Sequence, residues 1–435
     1  MSEGSARWRI GFDIGGTFTD FVLFDEETRD VTLHKRLTTP KDPSEAALLG
    51  LDEIVAQRGI QLSDIGDMVH GTTLVTNAVI ERKGARLGLI TTQGFRDVLE
   101  MGAEQRSDIY DLFLAFPEPL APRDRRLEAV ERVGPDGAVL RALDEASVER
   151  AARALAAAGC EAIAISFMHS YANPAHERRA AQIVRRLFPG LSVSISSDVI
   201  AEIGEYQRTA TTCANAYVQP LMERYLGRIE RALADRGFGG PLRLMHSAGG
   251  LVSLDVARAY PVRLLESGPA GGALATALFG ELAGMKDIIC FDMGGTTAKA
   301  CMIENGEADI APMLEAGRVH RFTKGSGLAL KAPGNDMIEI GAGGGSIAAI
   351  DEVGLLKVGP HSASSDPGPA CYGLGGEKPT VTDANLVLGY YDPGFFLGGR
   401  MKLDLEAARR AVARVAEPLG LSVEEAALGV HKGVV

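Results

Sequence analysis

Two short segments repeat one pattern, in which an apolar run is followed by Asp, any residue, Gly, Gly and Thr. It occurs at residues 13–17 and again at residues 292–296, 279 positions later. Backbone N–H groups can approach a phosphate chain where no side chain intervenes, and paired glycines provide that access. The threonine hydroxyl adds a donor, and the aspartate can hold Mg²⁺ directly or through water. We therefore predict phosphate contacts at Gly15, Gly16, Thr17, Thr19, Gly294, Gly295, Thr296 and Thr297, and Mg²⁺ ligands at Asp13 and Asp292.

Alternatives exist for each of these segments. One copy alone is explained equally well by an ordinary hairpin turn, whereas two copies favour two hairpins that grip a polyphosphate from both sides. Lys299 either reaches a phosphate or is a solvated strand lysine. Residues 341–346 (Gly-Ala-Gly-Gly-Gly-Ser) predict a third loop of backbone donors, at Gly343 and Gly344, or a plain turn. A P-loop is excluded because the sequence has no GxxxxGK[ST].

The elements that must position these segments alternate between strands and helices. Strand-like runs at 9–14 and 17–24 predict a β-hairpin with its glycines at the tip. A helix is predicted over 43–58, because Asp42 can cap its start and Gly59 can end it. Further helices are predicted at 145–158, 173–188, 199–236 and 267–285, and further strands at 86–92, 162–167, 241–246 and 287–300.

This alternation predicts an α/β protein, and the internal repeat predicts two similar domains, residues 1–198 and 199–435. The helical stretch 199–236 bridges them, with Gly204 and Pro220 as expected interruptions.

Composition narrows the class of protein. The 435 residues are 46% hydrophobic and carry a net charge of −12, which argues against non-specific binding to nucleic acid or anionic membranes. There is no apolar run of about 18 residues, as a membrane span would need, and the N-terminus lacks a signal-peptide core. The five scattered cysteines are expected to be buried thiols. We expect a cytoplasmic protein.

Three further segments give the chain a family resemblance. They are residues 70–78 (His-Gly-Thr-Thr-Leu-Val-Thr-Asn-Ala), 265–272 (Leu-Glu-Ser-Gly-Pro-Ala-Gly-Gly) and 366–385, which begins Asp-Pro-Gly-Pro-Ala-Cys-Tyr-Gly. The paired hairpins resemble the phosphate motifs of the acetate-and-sugar-kinase, heat-shock-chaperone and actin superfamily. Together the segments resemble the hydantoinase A family, which includes 5-oxoprolinase, N-methylhydantoinase subunits and subunits of acetone-type carboxylases. The resemblance runs from residue 9 to about residue 415.

The resemblance implies a fold and a reaction. The fold would be two ribonuclease-H-like domains with ATP and Mg²⁺ in the cleft between them. The reaction would be ATP-dependent phosphorylation of the amide oxygen of a cyclic amide, such as a hydantoin, 5-oxoproline or another lactam. A hydantoinase-B-like partner subunit would complete the ring opening, so a hetero-oligomer is implied. In carboxylase relatives the same step would activate a ketone enolate or bicarbonate, and the sequence does not separate the two reactions.

The resemblance also suggests residues on the substrate side. His70, Thr73 and Asn77 lie at a predicted strand-to-helix transition, where side chains can face a substrate. The alternative for His70 is a structural loop histidine.

The sequence departs from the family pattern at its end. Family members usually continue further and carry a Gly-Gly-Ala-Gly-Pro-like segment near the adenosine, which this sequence lacks. We therefore expect a truncated chain with an incomplete second domain. A nucleotide-binding or inert remnant is the remaining hypothesis.

Overall fold

The computed structural model describes residues 7–39, 42–319 and 323–434. Residues 1–6, on which part of the argument against a signal peptide rests, lie outside these ranges. No helix within the ranges has both the length and the apolar character needed to cross a bilayer.

Strands and helices alternate along the first part of the chain, up to residue 259. In order they are β1 (Trp8–Ile14), β2 (Phe18–Asp25), β3 (Val31–Leu37), α1 (Pro43–Arg58), β4 (Ile65–Thr72), α2 (Leu74–Ile80), β5 (Leu87–Thr92), α3 (Val98–Met101), β6 (Arg126–Ala129), β7 (Arg132–Val133), β8 (Val139–Arg141), α4 (Glu145–Ala157), β9 (Ala162–Ser166), α5 (Ala175–Leu187), β10 (Ser192–Ile195), α6 (Ser196–Val199), α7 (Glu205–Asp235), β11 (Leu242–Met245), β12 (Leu251–Ser253) and α8 (Leu254–Ala259).

The remaining elements begin with a helix and end with three more. In order they are α9 (Ser267–Ala283), β13 (Ile288–Met293), β14 (Ala298–Glu304), β15 (Glu307–Ala308), β16 (Ile310–Ala311), β17 (Leu314–Ala316), β18 (Leu328–Leu330), β19 (Gly334–Asn335), β20 (Ile338–Ile340), β21 (Ser346–Ile350), β22 (Leu356–Ser362), α10 (Val381–Val387), α11 (Leu405–Leu419) and α12 (Val423–Lys432).

Local signals set the bounds of helix α1 as predicted. The side chain of Asp42 accepts a hydrogen bond from the N–H of Ser44, and Gly59 adopts a left-handed φ of 68° that ends the helix. The first hairpin is also confirmed, because β1 and β2 pair antiparallel from Trp8↔Asp25 to Ile14↔Thr19. The mixed α/β class is confirmed.

The first sheet has six strands in the order β12-β11-β4-β1-β2-β3. β1, β2 and β3 are antiparallel neighbours, while β4 is parallel to β1 and β11 is parallel to β4. A second sheet, β10-β9-β5-β6, has only parallel neighbours. The assignment to ribonuclease-H-like domains stays a prediction.

The predicted boundary between residues 198 and 199 does not separate the sheets. β11 and β12 lie beyond it, yet they extend the first sheet through the pairing of β11 with β4. Strand pairing over more than 170 residues leaves no trace in the local pattern, so the sequence could not indicate it.

Helix α7 runs for 31 residues through the core. Gly204 precedes the helix as predicted, but the expected interruption at Pro220 was wrong because the helix continues through it. A proline inside a helix costs about 3 kcal/mol. Val218, Met222 and Leu226 are fully buried around it, and this packing holds the helix together.

A third sheet carries the second glycine hairpin. β13 pairs with β14 from Ile288↔Ile303 to Met293↔Ala298, and β20 pairs with the other side of β14. Helix α9 packs on one face of this sheet. Large apolar side chains are exposed on the other face, namely Ile289, Phe291, Met293, Met302 and Ile338.

Candidate functional site

The two glycine hairpins make the same turn. In the first, the N–H of Gly15 donates to the carbonyl oxygen of Phe18 at 2.9 Å, and in the second the N–H of Gly294 donates to that of Thr297 at 2.9 Å. The sequence repeat is therefore a repeat of backbone geometry.

The tips of the two hairpins meet. A methyl group placed on Gly295 would overlap the Oγ1 atom of Thr17, and one on Gly16 would lie 4.0 Å from the Oγ1 atom of Thr296. Glycine is required at position 295 for this approach, since any side chain would enter the space of Thr17.

A cavity of about 570 Å³ lies between the hairpins and is called the hairpin cavity below. Twelve of the predicted site residues line it, namely Asp13, Gly15, Gly16, Thr17, Thr73, Asp292, Gly294, Gly295, Thr296, Thr297, Lys299 and Gly344. Gly268 and Pro269, in the first turn of α9, form a further part of the wall.

Two buried polar atoms at the hairpin cavity are available to a ligand. The Oδ1 atom of Asp13 and the Oγ1 atom of Thr17 are buried and make no hydrogen bond with any residue that the structure describes. Methyl groups on Gly71 and Gly268 would lie 2.5 and 3.0 Å from that Oδ1 atom. The backbone at Gly71 and Gly268 therefore lies close to the carboxylate of Asp13 but donates no hydrogen bond to it.

Two carboxylates in the cavity, those of Asp13 and Asp292, have raised pKa values. Burial, with repulsion from Asp20 and Asp292, raises the pKa of Asp13 to about 6. Burial and the charge of Asp20 also raise the pKa of Asp292. Lys35 forms an ion pair with Asp20, in which the Nζ atom of Lys35 lies 2.6 Å from the Oδ1 atom of Asp20. A bound cation would relieve this repulsion.

The acidic groups fit a magnesium ion that keeps its waters. Among the described residues no group of three or more His, Cys, Asp or Glu side chains is arranged to enclose a metal. Mg²⁺ typically takes one or two carboxylates and completes its shell with water and phosphate oxygens. Asp13 and Asp292 are suited to that mode of binding.

Lys299 is a buried cation. Its side chain is 10% exposed and its Nζ atom pairs with the carboxylate of Glu266. Burial lowers the pKa of Lys299 against the attraction of Glu339 and Asp13. The alternative of a solvated strand lysine was therefore wrong.

The loop at 341–346 supports the second hairpin instead of offering free donors. The N–H of Gly344 donates to the carbonyl oxygen of Gly294 at 3.0 Å, and that of Gly345 to Gly295 at 2.7 Å. The N–H of Gly343 donates to the Oγ atom of Ser346 at 2.8 Å. The predicted ligand contacts through the N–H groups of Gly343 and Gly344 are corrected, because both groups already have partners.

His70 lies in the core, so its predicted catalytic role is corrected. Its side chain is fully buried, with the ring stacked on Phe12 at 4.3 Å and Nε2 2.7 Å from the hydroxyl of Tyr225. Burial lowers the pKa of His70 to about 4, so the ring is neutral at pH 7. A neutral ring enclosed by packed side chains cannot touch a molecule in the cavity.

Two more predicted residues lie behind the cavity wall. Thr19 is fully buried and its hydroxyl shares a hydrogen bond with that of Thr38. Asn77 donates from Nδ2 to the Oγ1 atom of Thr73 at 3.3 Å and does not line the cavity. Of the three predicted substrate-side residues, only Thr73 lines the hairpin cavity. Its hydroxyl donates a hydrogen bond to the carbonyl oxygen of Ile14.

Sequence reasoning missed several lining residues. Lys35 comes from β3, opposite Asp20 in the β2–β3 register, which a three-strand alignment could have indicated. Tyr372, Tyr391 and Phe396 also line the cavity. Tyr372 lies in the family segment 366–385, which was not given a role at the site, and no motif marks Tyr391 or Phe396.

Comparison with known proteins places this geometry in a family. A family model described as Hydantoinase/oxoprolinase matches residues 208–434, and one for the Hydantoinase/oxoprolinase N-terminal region matches residues 9–188. The chain belongs to the hydantoinase/oxoprolinase family. The first sheet draws strands from both matched regions, and the predicted division into two domains stays a prediction.

Relatives within the hydantoinase/oxoprolinase family differ in the reactions they are named for. Caprolactamase subunit alpha of Pseudomonas jessenii is 39% identical, over 98% of this chain and 60% of that protein. The 5-oxoprolinase of Saccharomyces cerevisiae is 34% identical, over 91% of this chain and 32% of that protein. The nucleotide-free structure of an acetone carboxylase superimposes with a TM-score of 0.85 at 33% identity, over 97% of this chain and 60% of that one. The chain thus spans at most about three fifths of the length of these relatives.

Proposed function

We propose that this chain is the nucleotide-handling part of an ATP-dependent enzyme that activates a cyclic amide. The observation that carries the proposal is the meeting of the two hairpin tips over one cavity, with the unpartnered polar atoms of Asp13 and Thr17 inside it. Glycine-tipped turns that face each other suit a triphosphate better than a flat or apolar ligand, because they offer main-chain donors from two sides.

Each group in the cavity has a task in that reaction. Gly16 and Gly295 at the hairpin tips would hold the phosphates together with Thr17, Thr296 and Thr297. The predicted contacts through the N–H groups of Gly15 and Gly294 are corrected, because these groups close the two turns. Asp13 and Asp292 would hold Mg²⁺ through its waters. Lys299 would neutralise charge that develops on the transferred phosphoryl group. This is positioning and charge neutralisation, the main means by which proteins catalyse phosphoryl transfer.

The chemistry requires an oxygen nucleophile and a leaving phosphate. The amide oxygen would form a bond to the γ-phosphorus while the bond from that phosphorus to the ADP oxygen breaks. The amide carbon, now bearing a phosphate leaving group, could then be attacked by water. We assign that second step to a hydantoinase-B-like partner subunit, in line with a relative that is itself named as a subunit.

A second candidate is an ATP-dependent ketone carboxylase. The acetone carboxylase structure supports it, since it superimposes with a TM-score of 0.85 over 97% of this chain. Phosphorylation of a ketone enolate or of bicarbonate would use the same hairpin cavity.

Calorimetric titration with Mg·ATP tests the proposal shared by both candidates. We expect saturable, magnesium-dependent binding that Asp13→Ala weakens strongly, while Asp255→Ala, at the start of α8 outside the cavity, leaves it unchanged. Absence of Mg·ATP binding to the wild-type chain would refute the proposed function. Phosphate release stimulated by lactams and hydantoins would favour the hydrolase, and release that needs ketone and bicarbonate would favour the carboxylase.

A further inference from the structure

A second cavity of about 500 Å³ adjoins the hairpin cavity and is called the side cavity below. Lys299 lines both cavities, whereas Glu266 and Glu339 line the side cavity alone. The amino group of one buried lysine therefore stands in the wall between two spaces, each large enough for a small molecule.

A row of charged residues crosses the third sheet from one cavity to the other. Asp292 on β13 lies opposite Lys299 on β14, which in turn lies opposite Glu339 on β20. Residues directly opposite in antiparallel strands point to the same face of a sheet. Asp292 lines the hairpin cavity and Glu339 the side cavity, with Lys299 between them.

The start of α9 forms the other part of the wall. Glu266, immediately before the helix, faces the side cavity, while Gly268 and Pro269 face the hairpin cavity. The backbone of Glu266 is left-handed, with a φ of 60°, a conformation unfavourable for a residue with a side chain. Glu266 adopts this conformation at the position where its carboxylate forms an ion pair with the ammonium group of Lys299.

The lining of the side cavity combines apolar surface with charged groups. Met313, Leu314 and Met337 supply the apolar surface, and the further charged residues of the lining are Asp309, Glu315, Arg318, Lys324 and Asp336. The carboxylate of Glu339 attracts the ammonium of Lys299. It makes no hydrogen bond and no ion pair with another residue in the described ranges, so it can accept a hydrogen bond from a ligand. An ammonium group has three N–H donors. Because the ion pair with Glu266 uses one of them, Lys299 can donate another hydrogen bond to a ligand.

We propose that the side cavity binds the carbonyl substrate, and that it selects a cyclic amide by its paired N–H and C=O groups. A small lactam ring forces the amide into the cis form, so that both groups lie on one edge. The C=O would accept from Lys299 and the N–H would donate to Glu339. This inference rests on the proposed function, because it places the amide oxygen at the wall that the hairpin cavity shares.

The arrangement predicts selectivity that a ketone site would not have. A ketone has no N–H to give to Glu339, and burying that carboxylate without a partner is unfavourable. The side cavity should therefore prefer a lactam to its N-methyl derivative and to a ketone of the same ring size.

Ligand-observed NMR on the whole chain with caprolactam, N-methylcaprolactam and cycloheptanone tests this selectivity. A hydrogen bond to a charged group corresponds to a preference of about tenfold or more for caprolactam. Glu339→Ala should abolish the preference. Glu304→Ala, on an exposed part of the same β14 strand, should retain it. Equal affinity of the wild-type chain for the three compounds, or an intact preference in Glu339→Ala, would overturn the proposal.

A second variant tests the side cavity in case Glu339→Ala fails to fold. Titration with Mg·ATP then distinguishes failure of the side-cavity proposal from failure of the proposed function. Met313→Trp fills the side cavity from a part-exposed position, and it should block all three compounds while Mg·ATP binding persists. Unchanged caprolactam binding in Met313→Trp would also refute the site. If Mg·ATP binds but the lactam preference is absent, only the side-cavity proposal fails, whereas absence of Mg·ATP binding refutes the proposed function itself.

Discussion

Replacing Gly295 by alanine should separate the two hairpin tips. The added methyl group would overlap Thr17 Oγ1 and lie 2.8 Å from Thr17 Cβ, where carbon atoms normally stay about 3.5–4.0 Å apart. Thr17 is 5% exposed, so its side chain has little room to turn away. The hairpins must then move apart by about 1 Å to restore normal contact.

The size of the effect follows from overpacking, which typically costs about 1–3 kcal/mol. A chain of 435 residues has an unfolding entropy of about 0.9 kcal/mol/K, so the melting temperature should fall by about 1–3 °C. If Mg·ATP binding restores the close approach, the same energy weakens its affinity by about 5- to 150-fold.

A double-mutant cycle isolates the contact, because Thr17 supplies the three atoms nearest to the new methyl group. Scanning calorimetry should show that Gly295→Ala lowers the melting temperature in the wild-type chain but much less in a Thr17→Gly background. Gly227→Ala, a helical glycine with open space around it, is the control and should not lower it. An equal loss in both backgrounds would refute the claim that the tips touch.

Two further predictions concern buried titratable residues. Because the pKa of Asp13 is raised from 3.8 to about 6 in the folded chain, its ionisation destabilises the fold increasingly as the pH rises from about 4 to 6. Asp13→Asn should therefore melt higher than wild type at pH 7.5, with the difference vanishing near pH 4, and wild-type Mg·ATP affinity should fall below pH 6; a pH-independent difference in calorimetry would contradict this. His70→Phe removes the hydrogen bond to Tyr225 inside the core, so it should lower the melting temperature and leave Mg·ATP affinity unchanged in titration. A selective loss of affinity would restore a role for His70 at the site.

Local chemistry made much of the site predictable. A five-residue pattern predicted that Asp13, the glycine pairs and the threonines that follow them share one site, and the structure brings them together around the hairpin cavity. Phosphate contact at these residues stays a prediction. Helix α1 was predicted to the residue, since Asp42 and Gly59 act through neighbouring backbone atoms.

Other features depend on contacts between distant residues. A lone histidine at the end of a strand has the same sequence signature whether it faces a cleft or, like His70, packs on a residue of another strand. The N–H group of Gly344 is occupied by the carbonyl oxygen of Gly294, which is distant in sequence and is brought near only in the folded chain. Lys35 joins the site through the register of β2 and β3, and β11 joins the first sheet across the predicted domain boundary.

The bare face of the third sheet makes the two halves of the site unequal. Ile289, Phe291, Met302 and Ile338 stay largely in water, and each Å² of apolar surface left there withholds about 25 cal/mol of hydrophobic stabilisation. The first hairpin belongs to a six-stranded sheet that packs in a large hydrophobic core. The second hairpin belongs to the third sheet, which is buried on one face only. Local unfolding should therefore begin at the Gly294–Gly295 tip. A ligand that contacts both tips should raise the melting temperature mainly because it prevents this local unfolding of the second hairpin.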